Sequence, residues 1–183
     1  LAAAPRAEFK AISGGEIKLE DAGNRVTLCG AYFGNVDEGQ DVLEKGSVDK
    51  SLSERLPKRL IKLFDRHETG LGEIDRAWID GPRLWVSGLI PDNAQGSEFR
   101  SLVKSGLLGH ASIGYVPIQA KRDTIDGVPV RRLVEIKLFE VSGVIWPMNE
   151  LAEGVMLKSR SGGIEHKHDK WTAELWDLSD VIQ

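Results

Sequence analysis

The 183-residue chain is 41% apolar and 28% charged, enough to bury one core, and its 24 basic and 28 acidic residues leave a formal charge of −4, which argues against a basic nucleic-acid or anionic-membrane binder. Its single cysteine, Cys29, excludes an internal disulfide framework and a Cys-rich zinc site. No apolar run nears the roughly 18 residues of a membrane span, since the longest candidate, 107–118, is broken by His110 and Ser112.

Leu1 to Pro5 lack an initiator Met and a basic stretch ahead of an apolar one, and read as a trimmed end rather than a signal peptide. Segments 8–13, 17–20 and 26–33 read as short strands, with a hairpin turn at Gly23-Asn24, where both residues tolerate positive φ. Residues 34–50 are polar and contain Gly, and read as a loop. A helix is expected over 49–56, with Leu52 and Leu56 four apart and Pro57 as its stop. Alternation over 59–66 predicts a strand with Ile61, Leu63, Asp65 and His67 on one face. A hairpin is expected over 78–90 around Asp80-Gly81-Pro82. Helical spacing of Phe99, Leu102 and Val103 predicts a helix over 94–105, capped by Asp92 or Asn93 and closed by Gly106. A strand over 109–118 follows, and Asp126-Gly127 turns the chain into a long strand, 128–146.

Beyond Val155 the composition changes. Residues 158–170 are rich in Ser, Gly, Lys and His and read as a linker. Trp171, Leu175, Leu178 and Ile182 form the stripe of an amphipathic helix over 171–182. The expected architecture is mainly β with short helices (α+β): a closed or nearly closed antiparallel β-barrel of about seven strands surrounded by helices. It occupies 1–157, with 158–183 as polar linker and amphipathic tail.

Chemistry-bearing residues fall in three separated segments. Ser112 has small neighbours, Ala111 and Gly114, which suits close approach of a carbonyl to its hydroxyl. A serine becomes nucleophilic only when a base takes its proton; otherwise it is a core hydroxyl bonded to backbone. His67, at the end of an apolar face, is the natural base; the plain alternative is a half-exposed histidine at a strand end. Glu140 continues the apolar face of Val134, Ile136 and Leu138. A carboxylate there needs a partner, which could be the second ring nitrogen of His67, Arg131, Arg132 or water. Asp65 and His110 are rivals for the third position. Cys29 beside His67 would make a thiol pair, but an interior-strand cysteine usually acts as a small hydrophobe. Glu165-His166-Lys-His168-Asp169 reads as solvated charge rather than a metal site, and no cofactor or nucleic-acid motif is found.

Taken together, Leu63-Phe-Asp-Arg-His67, the Leu102 to Tyr115 run with Ser112-Ile-Gly-Tyr115, and Glu140-Val-Ser-Gly-Val-Ile-Trp-Pro147-Met-Asn149 resemble the prohead maturation proteases of tailed bacteriophages, related in fold to the herpesvirus assemblins. The acidic, Gly-containing segment 34–46 fits the same pattern, and the resemblance spans about Gly30 to Val155. Gly143 departs from it, where a larger apolar residue is common. The resemblance implies a serine endopeptidase with Ser112 as nucleophile, His67 as base and Glu140 as third member. The loop at Ser142-Gly143 is the candidate oxyanion donor. Implied substrates are the major capsid protein, its scaffold segments and the protease itself, cut in the host cytoplasm inside the procapsid. The linker is the expected self-cleavage region, the tail a docking helix, and a weak homodimer is expected by analogy with the assemblins. Competing readings are a non-catalytic assembly or scaffolding module on the same barrel, and a ligand-binding barrel with Trp78 and Trp85 at its mouth.

Overall fold

The alternating stretches pair into one nine-stranded sheet in the computed structural model, which describes residues 7–12, 16–37 and 39–145. The start of the chain, the linker and the amphipathic tail lie outside the described residues. The strands are β1 Glu8–Ile12, β2 Ile17–Glu20, β3 Arg25–Tyr32, β4 Asp41–Leu43, β5 Lys62–Asp65, β6 Thr69–Asp80, β7 Arg83–Leu89, β8 His110–Ile125 and β9 Val128–Val144. Two α-helices, α1 Asp49–Arg55 and α2 Ala94–Lys104, are inserted between them.

The spatial order is β1-β8-β9-β5-β6-β7-β3-β2, with β4 also beside β9. This corrects the expected barrel in three ways. The path begins at β1 and ends at β2 without joining them, so the sheet is an open, curled half-barrel. It has nine strands, and it is mixed, because β4 and β5 both pair β9 in parallel. The two α-helices among the described residues do not surround it. The curl brings β3 over β8 and β9: a Cβ on Gly30 would stand 3.2 Å from Val141 and 3.6 Å from Ile113. Between these walls Leu28, Leu63, Ile74, Leu84, Phe99, Ile113, Leu133, Ile136 and Leu138 are buried, removing apolar surface worth roughly 25 cal/mol per Å².

Local chemistry sets the boundaries. Asn93 caps α2 by accepting from the Gly96 N–H at 2.9 Å, and Gly106 follows the helix with φ +79°. Asp126-Gly127 turns with both φ positive. At the β2–β3 connection the positive φ falls on Asp21, Ala22 and Gly23, whereas Asn24 has φ −83°. The strand expected from Arg59 starts only at Lys62, because Arg59 is left-handed and 56–60 form a turn. The supposed loop 34–50 contains β4, and both the β6 and β8 strands run longer than expected.

One edge of β9 is shared by β4, α1 and β5 in succession. Where α1 lies against it, Ser51 stands in for a strand: its hydroxyl donates to the Ile136 carbonyl at 2.8 Å and accepts from the Leu138 N–H at 2.9 Å. The Arg55 side chain donates to the Leu138 carbonyl at 2.9 Å. Buried backbone groups are thereby paired across the gap, just ahead of the irregularity at Phe139 that precedes Glu140.

Candidate active site

Side chains two apart on a strand share a face. On β8 those are Ser112 and Gly114; on the adjacent β9 they are Glu140 and Ser142. The register sets Ser112 opposite Ser142 and Gly114 opposite Glu140. A serine, a carboxylate and a second hydroxyl therefore meet on one patch of the sheet, with the missing side chain of Gly114 leaving space between them.

His67 arrives from β5 on the other side of β9. Asp65 pairs with Gly143, and the next residues turn back over the sheet. Arg66 and His67 have φ +52° and +62°, and the Glu68 N–H donates to the Asp65 carbonyl at 3.0 Å. This is a tight turn of the kind usually filled by Asn and Gly. Two non-glycine residues there cost about 1 kcal/mol or more each. The surroundings hold it: the Arg66 N–H donates to the Gly143 carbonyl at 2.9 Å, and the His67 N–H donates to Ser142 Oγ at 3.2 Å. The Arg66 guanidinium also grips Asp65 at 3.0 and 2.9 Å.

The turn delivers the imidazole between the other groups. His67 Nδ1 is 2.5 Å from Glu140 Oε1, and Nε2 is 2.7 Å from Ser112 Oγ. Ser142 Oγ donates to Glu140 Oε2 at 2.6 Å and lies 3.1 Å from His67 Nδ1. A carboxylate can only accept, so Nδ1 carries the proton that faces Glu140 and Nε2 is left as the acceptor for Ser112. Glu140 is buried, and the two bonds it receives replace the water it has lost. Neither arginine is its partner: Arg131 holds Asp41 and Glu8, and Arg132 holds Glu44 and Asp123.

The rival groups lie elsewhere. Asp65 is bound to Arg66. His110 has a buried Nδ1 without a hydrogen-bond partner among the described residues. Cys29 is buried in β3, its thiol aimed at the Ala31 carbonyl at 3.9 Å, and burial pushes the thiol up to about 11. Trp78 and Trp85 form a cross-strand stack, with ring centroids 6.3 Å apart and Lys18 over Trp85, rather than the rim of a barrel. Ser142-Gly143, expected as an oxyanion loop, is instead part of β9 between β8 and β5. Gly143 serves packing, since a Cβ there would stand 2.8 Å from the Phe99 ring of α2. Sequence reasoning missed Ser142 as a partner of Glu140, although its place two residues on was the available signal.

An open β-sheet carrying a hydroxyl, an imidazole and a carboxylate in one hydrogen-bonded line is the arrangement of a serine hydrolase. The chain belongs to the family described as Caudovirus prohead serine protease, whose model matches residues 16–166. The fold is similar to the solved structure of the bacteriophage T4 capsid assembly protease, gp21, with a TM-score of 0.58 and 15% identity, covering 78% of this chain and 99% of that one. None of the curated proteins matches the chain. No helix among the described residues is long and apolar enough to cross a membrane.

Proposed function

We propose that the chain is a serine endopeptidase that cuts capsid protein, scaffold segments and itself inside the procapsid, with Ser112 as nucleophile, His67 as base and Glu140 as the group that orients His67. The observation that carries this is the line from Glu140 Oε1 through His67 to Ser112 Oγ, with steps of 2.5 and 2.7 Å. Ser112 Oγ attacks the peptide carbonyl as its proton passes to His67 Nε2. The imidazolium is stabilised by Glu140 and returns that proton to the leaving amine; water then repeats the sequence to release the acyl group. Capsid substrates and the procapsid setting are supported by the family's description and by the neighbour's description as a capsid assembly protease.

Ser112→Ala and His67→Ala, each with retained folding, test the reading. Cleavage of capsid protein and self-cleavage should fall by about 10⁴-fold or more. Unchanged processing would reject the enzyme and leave a non-catalytic assembly module.

A further inference from the structure

Where α1 stands against β9 it leaves a groove of about 360 Å³, bounded by α1, the turn at 56–60, β8 at Ile118 and β9 at 135–137. Its apolar lining is Leu60, Ile118 and Ile136. Ile136 is buried, whereas Leu60 and Ile118 keep 43% and 52% of their surface exposed. The rim is basic. Arg55 is fixed by the Leu138 and Leu60 carbonyls at 2.9 and 3.0 Å, and both Arg55 and Lys137 lie over the Phe139 ring, at 4.7 and 5.2 Å. Of the two acids that line the groove, Glu135 is taken by Lys50 at 3.1 Å. That leaves Glu54 beside three cations, Arg55, Lys58 and Lys137, which make no ion pair among the described residues.

The chain carries a complement to this groove. Residues 171–182 lie outside the described residues, and their sequence sets Trp171, Leu175, Leu178 and Ile182 on one helical stripe flanked by Glu174, Asp177 and Asp180, with no basic residue. An amphipathic helix laid in a groove is a recurrent mode of recognition, and opposite charge fixes which face it meets. The tether has the right length. Twenty-five residues, 146–170, separate the last described residue, Ile145, from Trp171, and a coil of that many spans about 25–30 Å in root mean square. From Lys137 to Val144, β9 covers about 23 Å at roughly 3.3 Å per residue. A tether that matches its span gives an effective concentration on the order of 1 mM, enough to fill the groove through a weak contact. We propose that residues 171–182 dock as a helix in the groove between α1 and β9 of their own chain, with the apolar stripe on Leu60 and Ile118 and the acids toward Arg55, Lys58 and Lys137. This is independent of the peptidase reading.

The test uses the full chain carrying Ser112→Ala, so that the tail stays attached whatever the peptidase activity. Carbodiimide coupling should join Lys58 or Lys137 to Glu174, Asp177 or Asp180 within one molecule. Mass spectrometry of mixed isotope-labelled and unlabelled chains identifies such links, and their yield should not change on about tenfold dilution. Ile118→Asp in the groove, and separately Leu175→Asp with Leu178→Asp in the tail, should each abolish them. A fluorescent peptide of residues 171–183 should bind the tail variant about tenfold more tightly, by anisotropy, than the chain with its own tail intact, where the tethered segment competes. Links formed only between labelled and unlabelled chains, and fading on dilution, would give the groove to a second copy and overturn docking within the chain. Absence of these links, together with equal or absent peptide binding by the two chains, would overturn it as well.

Discussion

The carboxylate of Glu140 lies where a side chain on Gly114 would be. The two residues are cross-strand partners, and a Cβ built on Gly114 would stand 2.4 Å from Glu140 Oε1 and 2.9 Å from its Cγ. Because Oε1 is the atom that meets His67, Gly114→Ala must displace the group that orients the imidazole. A misplacement of about 1 Å at such a site costs roughly 10²-fold. We expect Gly114→Ala to fold, to keep KM within a few-fold, and to lose that factor in kcat. A variant whose loss fell in KM alone would show that Glu140 had not been moved.

Ser142 joins the site from beneath. It donates to Glu140 Oε2 at 2.6 Å and accepts the His67 backbone N–H at 3.2 Å, so it fixes both the carboxylate and the strained turn. A hydrogen bond to a charged group contributes about 1.5–3 kcal/mol, or roughly 10- to 10²-fold in rate if all of it bears on the transition state. Ser142→Ala should therefore lower kcat by about that factor while Ser112 stays in place. Steady-state kinetics that left kcat unchanged would reduce Ser142 to a packing residue.

Ser112 in a small-residue strand was visible as a break in a simple pattern. Glu140 was singled out by alternation with Leu138, but that alternation fails: the irregularity between Gly114 and Tyr115 leaves Phe139 as an extra residue on β9, so Leu138 stands opposite Tyr115 and Glu140 opposite Gly114, on the other face. His67 was legible as a residue but not as a conformation, since alternation places it on a strand while the fold puts it in a left-handed turn. β6 was half missed for a comparable reason. Gly70 and Gly72 weaken its strand pattern, and the irregularity against β5, where Phe64 pairs Gly70 and Leu63 pairs Gly72 with Leu71 as the extra residue, puts the buried positions Leu71 and Ile74 three apart. The closed antiparallel barrel failed because strand order is not local. Whether β5 runs parallel to β9, and whether β1 meets β2, depends on contacts far apart in sequence.

Cys29 gives a check on which nucleophile operates. Burial raises its thiol from 9.0 to about 11, leaving on the order of one thiolate in a thousand at pH 8. Iodoacetamide at pH 8 should leave the folded chain unmodified and its peptidase activity intact, while the urea-unfolded chain reacts readily. The raised value also gives a sign for stability. Folding favours the protonated thiol, so its contribution is complete below about pH 8.5 and is lost as pH rises toward the folded value. Cys29→Ala should flatten the alkaline end of the stability curve. Rapid alkylation of the native chain would contradict the burial.

The pair of Arg25 and Asp75 fixes the other end of the sheet and carries the opposite sign. Arg25 Nη1 and Nη2 donate to the two carboxylate oxygens of Asp75 at 2.6 and 2.9 Å, joining β3 to β6, and Nη1 also lies 3.2 Å from Ser87 Oγ. Arg25 is buried, so its charge has little water to fall back on. The bonds from Arg25 hold the Asp75 carboxyl below the usual carboxylate range. Folding therefore favours the ionised form. Its contribution is complete above the unfolded value, about 3.9, and is lost as pH falls through the lower folded value. Asp75→Asn removes the charge and should cost about 2 kcal/mol at pH 7, read from urea unfolding midpoints. The gap between parent and variant should narrow as the pH is lowered below 4, because the parent then protonates Asp75 and loses the same interaction. A gap of equal size at pH 7 and at the lowest pH where both chains still fold would show that the substitution acts through packing rather than through the ion pair.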